Sequence, residues 1–397
     1  MTERLYLDDP YVVEFDAEVI EERETDDGPA VVFAETYFYP ESGGQPCDLG
    51  TIHDIPVVKV AELPDETILH FVERFPSERK VHCRIDAERR RDHMQQHSGQ
   101  HILSAAFLRE ASAATTSFHL GSSISTIDLD VSPLSPEEVL ASERAANDVV
   151  RRGVPIRTEY AEGAAAARGL RKAAPPSVGS LRIVDVEGFD RQACCGTHPR
   201  SSSEVGPIVV RGFGRFKGGT RVEFLCGERA LRDYRATVGR VRALATVLSS
   251  SESDLVMTAT RLQEDRKAMG KELERMSTEL LLATAEGWMA EAELMQDVAV
   301  LLKVLEALPP AQLRSAATAL TGRERRIVLL GSTHEQAAHL VFARSEDVNA
   351  HMAELLGASL EAVEGRGGGS ARIAQGGGPR TSGLSAALAE AKARLEG

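Results

Sequence analysis

Residues 89–101 read Arg-Arg-Arg-Asp-His-Met-Gln-Gln-His-Ser-Gly-Gln-His, and at this point the pattern of the chain changes. His97 and His101 stand four residues apart, the spacing that brings two side chains onto one face of a helix. Upstream, residues 11–20, 30–38, 50–60 and 67–72 read as short β segments separated by Asp-Asp-Gly, proline and Gly-Gly turn signals. That spacing predicts a small β-barrel over 1–88. Downstream, strand character recurs at 123–131, 181–186 and 205–210. Residues 135–152 read as a helix opened by Ser-Pro-Glu-Glu. Together these predict an α+β domain over 89–229.

After Gly227 the rhythm turns helical. Leu231, Tyr234, Val238, Val241, Ala245 and Leu248 fall at alternating three- and four-residue steps. After a break at 249–254 the rhythm resumes at Leu255, Ala259, Leu262, Arg266, Met269, Leu273, Met276, Leu280 and Ala283. The reading is a long helical arm over 230–308. An antiparallel hairpin within one chain and a coiled coil between two chains both fit such a seam. Residues 309–397 are expected to form a small C-terminal α/β domain, with strands at 327–331 and 338–343, a helix over 347–363, a glycine-rich loop and a short final helix. The fold class is therefore α+β.

A chain of 397 residues with 42% hydrophobic and 27% charged residues is an ordinary globular composition, long enough for two to four domains. Its formal charge of −14 is unevenly placed: residues 1–70 carry 18 Asp and Glu against 3 Lys and Arg, the rest 42 against 43. Local basic runs (89–91, 151–152, 211–221) are thus compatible with nucleic acid on selected faces. Cysteines 47, 83, 194, 195 and 226 are odd in number and include an adjacent pair, a poor disulfide framework that points to metal or free thiols. The absence of a signal-like N-terminus or a long apolar run places the protein in the cytoplasm with no membrane partner.

The chemistry starts from His97 and His101. Cys194-Cys195-Gly196-Thr197-His198 offers a thiol and an imidazole at a matching offset, so the two pairs together make one tetrahedral set suited to a single Zn²⁺. Spacing leaves the choice between Cys194 and Cys195 open. His334-Glu335-Gln-Ala-Ala-His339 has its histidines five apart, which would diverge around a helix, and is not expected to bind metal. No phosphate-binding loop of the Gly-x-x-x-x-Gly-Lys-Ser/Thr type occurs, so ATP has no support.

These motifs, with Tyr39-Pro-Glu-Ser-Gly-Gly-Gln-Pro-Cys-Asp-Leu-Gly50 before them, resemble the editing domain of alanyl-tRNA synthetases and their stand-alone relatives, the AlaX-type editing proteins. The family's Cys-x-Gly-Thr-His pattern puts the ligand thiolate on Cys194, with His97, His101 and His198. Cys195 takes a place where glycine is common, and Ser42 replaces the first of three usual glycines. Gly365-Arg-Gly-Gly-Gly-Ser-Ala-Arg-Ile-Ala-Gln-Gly-Gly-Gly378 is similar to the end of the DHH-associated domain of those synthetases, which indicates the long AlaX subgroup.

The resemblance implies a zinc-dependent aminoacyl-tRNA deacylase acting on mischarged alanine tRNA, chiefly the seryl and also the glycyl ester. Editing of another tRNA, such as seryl-tRNA for threonine, and a non-catalytic tRNA-binding module with structural zinc are the rivals. Gln45, Gln100, His119 and Thr197 are the candidates for handling substrate and water, His119 having a structural reading as well. Arg211, Arg215, Lys217 and Arg221, interleaved with Phe213 and Phe216, are candidates for the acceptor end of the tRNA, or form a solvated hairpin face. Arg366, Gly367, Gly368, Gly369 and Arg372 are candidates for its elbow, through backbone amides and charge. A homodimer through the arm or the C-terminal domain completes the expected partners.

Overall fold

The computed structural model describes residues 1–162, 168–172 and 180–396, so parts of the segment 89–229 and Gly397 lie outside the described residues. The chain forms two compact units, 1–243 and 244–397.

Six strands close a barrel: β1 (Glu14–Thr25), β2 (Gly28–Phe33), β3 (Gly50–Ile52), β4 (Ile55–Glu62), β5 (Ile68–Val72) and β6 (Lys80–Ile85), in the order β1-β2-β5-β4-β3-β6. The segment expected as one strand over 50–60 is two. His53 and Asp54 both adopt positive φ (49° and 63°), the signature of a tight hairpin turn. The closing strand β6 was not among the four expected segments. Its Val81, Cys83 and Ile85 alternate inward with exposed Lys80, His82 and Arg84, a period of two that carries the barrel core.

Helix α1 (Ala87–Ala111) follows, capped by the Asp86 side chain on the Arg89 amide. Its middle is buried nearly all round, histidines and glutamines included, so it runs through the unit instead of lying on it. Strands β7 (Thr115–Leu120) and β8 (Ser125–Leu129) come next. Helix α2 (Pro136–Arg152) starts with the Ser135 and Glu138 capping box. Then β9 (Ile156–Glu162), β10 (Ser180–Val186) and β11 (Asp190–Ala193) form a three-stranded sheet. β12 (Ile208–Phe216) and β13 (Gly219–Cys226) join the second sheet in the order β12-β13-β8-β7. Ile102, Leu103, Phe107, Val149, Val184, Val222 and Phe224 form the core between them. Helix α3 (Gly227–Val247) leaves this unit.

In the second unit, α4 (Leu255–Trp288) precedes β14 (Glu293–Met295), β15 (Val298–Glu306), α5 (Pro310–Leu320), β16 (Arg326–His334), β17 (Ala337–Arg344) and α6 (Met352–Ser359). It ends with β18 (Arg366–Gly369), β19 (Ile373–Gly378) and α7 (Leu384–Glu396). The six strands lie in the order β14-β15-β16-β17-β19-β18. β15 and β16 are parallel and joined through α5, a βαβ crossover. Alternate residues of β16 face opposite layers: Ile327 and Leu329 pack towards α6 and α7, Val328 and Leu330 towards α5 and the end of α4. The sheet thus takes in β14 and β15, which fall within the stretch 230–308 expected as a helical arm.

Two expectations are corrected here. The glycine-rich stretch 365–378 is a β-hairpin at the sheet edge, with Gly367 opposite Gly376 and Gly369 opposite Ala374. A Cβ at Gly367 or Gly369 would come within 2.5 Å of the facing backbone, so glycine is what lets these strands close. His334 and His339 lie on β16 and β17, joined by a turn at Glu335 and Gln336, and not on a helix. Among the described residues no helix is long and apolar enough to cross a membrane.

Candidate metal centre

Four donors converge in the first unit. His97 and His101 project from one face of α1. Cys194 and His198 lie on the segment after β11, and all four ligand atoms fall within 4.8 Å of one another. The Cys194 Sγ is 3.3 Å from His97 Nε2 and 3.3 Å from His198 Nε2. Cys195, by contrast, is exposed and outside this cluster, so of the two adjacent thiols it is Cys194 that stands with the three imidazoles.

What suits three imidazoles to hold a metal ion is the support given to the other nitrogen of each ring. His97 Nδ1 donates to Gln45 Oε1 at 2.7 Å, His198 Nδ1 is 2.8 Å from Ser98 Oγ, and His101 Nδ1 is 3.3 Å from Asp190 Oδ2. With each Nδ1 engaged, His97 Nε2 and His198 Nε2 face the Cys194 sulfur, and His101 brings its donor atom into the same 4.8 Å cluster. Three nitrogens and a thiolate at this separation fit Zn²⁺, which favours a tetrahedral N and S set. Gly196 belongs to the same fit: a Cβ there would lie 2.2 Å from His97 Cε1 and push the ring out of place.

Gln45 is delivered by the barrel. Gly43 and Gly44 both take positive φ (54° and 80°), reversing the chain between Ser42 and Gln45, which pair with each other. Gln45 then binds Thr197 twice, Nε2 donating to Oγ1 at 2.9 Å and Oε1 accepting from the backbone amide at 3.2 Å. One side chain therefore joins the glycine turn, a ligand histidine and the ligand loop. The loop is pinned from its far side by Arg182, whose Nη1 donates to the carbonyls of Cys194 and Gly196 at 2.9 Å each.

The electrostatics follow from burial and neighbours. Burial alone would raise the Cys194 thiol, but the His97 and His198 imidazoles and hydrogen bonds from His101 and His198 hold it well below its ordinary value. Burial also opposes charging of His101, yet its bonds to Asp190 and Cys194 raise it to about 9. Burial wins at His198, driven down to about 3. Asp190 is kept low against its burial by His101 and by Arg171, whose Nε lies 2.8 Å from Oδ1.

A cavity of about 560 Å³ opens onto these residues, with Tyr39, Gln100, Thr115, Ser117, Phe118 and Lys172 in its wall. Gln100 is there, but His119 is not: it is exposed on β7, next to Phe118, whose ring faces His97 at 5.8 Å. Asp190, Ser98 and Arg182 complete the site and carry no spacing signal in the sequence. The residues expected to contact tRNA differ in their local partners. Arg221 is held by Asp128 at 2.7 and 2.9 Å and stacks 3.5 Å from the Phe216 centroid, and Arg211 pairs with Asp233 at 3.0 Å. Arg215 has no ion pair among the described residues, and Lys217 occupies the turn between β12 and β13. In the second unit Arg366 and Gly367–Gly369 form the exposed edge strand, and Arg372 pairs with Glu346.

The chain has sequence relatives among proteins named for tRNA editing and aminoacylation. The profile of the Threonyl and Alanyl tRNA synthetase second additional domain matches residues 181–223, and that of the DHHA1 domain matches residues 297–397. Alanyl-tRNA editing protein Aarsd1-B of Xenopus laevis is 32% identical over 278 residues, covering 68% of this chain and 67% of that protein. The mouse protein Aarsd1 is 35% identical over 260 residues, 64% of this chain and 63% of its own. The alanine–tRNA ligase of Methanopyrus kandleri is 31% identical over 396 residues, 96% of this chain, which spans only 43% of the ligase. The chain belongs to the family of alanyl-tRNA editing proteins.

Proposed function

We propose that this chain is a zinc-dependent deacylase that hydrolyses the ester of mischarged alanine tRNA, chiefly the seryl and also the glycyl ester. The observation that carries the reading is the four-donor cluster set at the wall of a 560 Å³ cavity, in a chain of the editing family. His97, His101, Cys194 and His198 hold one Zn²⁺, which when bound supplies Lewis acidity and a fixed point for the amino acid. Gln45 and Thr197 keep His97 and the ligand loop in register and act through them. Gln100 meets the acyl group directly. His119, exposed beside the cavity, is left to the approach of the RNA.

Arg215, with no ion pair among the described residues, and Lys217, over the Phe216 ring at 5.1 Å, offer charge for the acceptor end, with Arg211 and Arg221 shaping the hairpin that presents them. The edge strand with Arg366, Gly367, Gly368, Gly369 and Arg372 is assigned to the tRNA elbow. The four domains (1–88, 89–229, 230–308 and 309–397), a homodimer through the arm or the last domain, and a cytoplasmic setting belong to the same reading. A centre with four protein ligands is also the pattern of a structural zinc site, and this supports the rival of a tRNA-binding module without turnover. Hydrolysis of seryl, glycyl and alanyl esters of alanine tRNA, with seryl-tRNA for threonine alongside, by the zinc-loaded protein and Cys194→Ala separates the two. Loss of the seryl ester with the alanyl ester spared and the variant inactive supports the deacylase; binding without hydrolysis leaves the structural-zinc module.

A further inference from the structure

The deacylase reading leaves a chemical problem: the correct alanyl ester differs from the seryl ester only in lacking a hydroxyl, so a pocket that admits serine has room for alanine. Discrimination must come from a polar group that serine satisfies and alanine leaves unmet. The cavity wall has several polar side chains, and one of them combines burial, an open acceptor and a place beside the metal ligands.

Gln100 is 3% exposed and lines the cavity. It stands three residues after His97 and immediately before His101, so positions 97, 100 and 101 share one face of α1. Its amide is held by one end. Nε2 donates to Ser104 Oγ at 2.8 Å, and the same Oγ accepts from Thr115 Oγ1 at 2.8 Å, which fills the serine oxygen with two incoming donors. The amide is therefore oriented with Oε1 turned the other way. Among the described residues Oε1 receives no hydrogen bond from the protein, and it is not one of the atoms sealed away without a partner, as His93 Nδ1, Ser125 Oγ and Arg182 Nε are. It is an acceptor open to the cavity.

The other amides at the site have their oxygens spent: Gln45 uses Oε1 on His97 and Thr197 and Nε2 on Thr197, and Gln192, also in the cavity wall, uses Oε1 on the Lys172 amide at 2.9 Å. Tyr39 likewise donates its hydroxyl to the Ser42 carbonyl at 3.0 Å.

We propose that Gln100 is the specificity-determining residue: its Oε1, oriented by Ser104 and Thr115, accepts the side-chain hydroxyl of a seryl ester and is left desolvated and unpaired by an alanyl ester. The inference rests on the deacylase reading and adds to it the group that reads the acyl side chain. The amide itself exchanges no proton with the substrate, and the cleaved bond is the ester.

The test compares kcat/KM for seryl and glycyl esters of alanine tRNA in the zinc-loaded full chain, Gln100→Met and Ser104→Ala, with metal content measured for each. The glycyl ester has no hydroxyl to read, so the seryl-to-glycyl ratio isolates the contact from general damage. In Gln100→Met the ratio falls on the order of 10–100-fold, the range expected for one lost hydrogen bond to a buried acceptor. In Ser104→Ala, where the amide is present but released, it falls by about 5-fold or more. A ratio within about 3-fold of the parent in both variants, whether both esters slow together or neither does, overturns the assignment while the deacylase reading stands. If Gln100→Met loses its metal, the Ser104→Ala ratio decides by the same limits. A parent protein that cleaves none of the esters removes the deacylase reading and this inference with it.

Discussion

Replacing Asp48 by Asn should unfold the first unit more readily and loosen the metal centre. Asp48 is fully buried and Arg90 is 2% exposed. Both carboxylate oxygens lie 3.1 Å from Arg90 Nε, and Oδ2 also takes the Tyr39 amide at 2.7 Å. The guanidinium reaches Pro10 O at 2.7 Å as well, tying α1 to the barrel entrance. Asn keeps the volume and removes the charge, leaving a buried guanidinium uncompensated, at a cost of roughly 3–5 kcal/mol. In a unit of this size each kcal/mol moves Tm by about 2–4 °C, so the expected drop is roughly 6–20 °C. The loop from Tyr39 to Asp48 carries Gln45, so zinc affinity should fall as well, by about 10-fold or more, as is usual when support of a ligand histidine is lost. Thermal unfolding followed by circular dichroism, with metal competition at a temperature far below Tm, reads both effects. Asp48→Asn combined with Arg90→Met should recover at least half of the lost stability, because removing both charges leaves none buried alone. A single variant that loses less than about 1 kcal/mol, or a double variant no better than the sum of the singles, would refute the reasoning.

Cys194→Ala should lose zinc, and deacylation with it, while Cys195→Ala keeps most of both, because only Cys194 lies in the donor cluster; elemental analysis showing the reverse would overturn the ligand assignment. His70 is buried in the barrel, its Nε2 2.9 Å from Thr36 Oγ1, and burial depresses it to about 4. Its folded value lies below the unfolded one of about 6.5, so the unfolded chain binds the extra proton between them. The stability this neutral ring contributes is whole above pH ~6.5, is lost as pH falls towards 4, and amounts to about 3 kcal/mol at most. Denaturant midpoints between pH 7 and 4 should therefore fall less steeply in His70→Gln than in the parent. Changing Arg215 and Lys217 together to Ala should weaken alanine tRNA binding and flatten its salt dependence by about 1 to 2 in log–log slope; an unchanged slope would take the β12–β13 turn out of the interface.

Much of the fold can be read from periodicity because its cores are simple. The expected helix at 135–152 corresponds to α2 to within one residue, since Ser135 and Glu138 form their capping box from local chemistry alone. Strands β16 and β17 are near-continuous apolar runs, as a sheet covered on both faces requires. The glycine hairpin could not be read that way, because glycine has poor strand propensity and what holds β18 to β19 is close backbone approach. At the centre, the His and Cys pairs were visible through fixed offsets on one element each. Asp190, Ser98 and Arg182 were not, since each meets its partner across the tertiary structure: Asp190 is 89 residues from His101 and Ser98 is 100 from His198. Gln45 was visible as a polar residue after a glycine turn, but its work of fixing the His97 tautomer appears only where barrel and helix meet.

The charge map resolves an apparent contradiction between an acidic protein and a polyanionic substrate. Most of the excess charge lies near the N-terminus, where Glu14, Asp16, Glu18, Glu21, Glu22 and Glu24 are exposed along β1. Among the described residues, the side chains lining the cavity include Arg171, Lys172 and Arg182 and no Asp or Glu. Arg182 has no carboxylate partner among the described residues, its Nη groups being spent on the carbonyls of Cys194, Gly196 and Leu7. At physiological salt, fields between exposed charges fade over about 8 Å, so a group entering the cavity feels the charges of its wall, where Arg171 is balanced by Asp190 while Lys172 and Arg182 have no carboxylate partner among the described residues, and not the formal −14 of the whole chain. The same acidic strand disfavours RNA along its own exposed face. Net charge is then a poor guide to the substrate of this protein; the sign of the charge at the cavity wall is the relevant quantity.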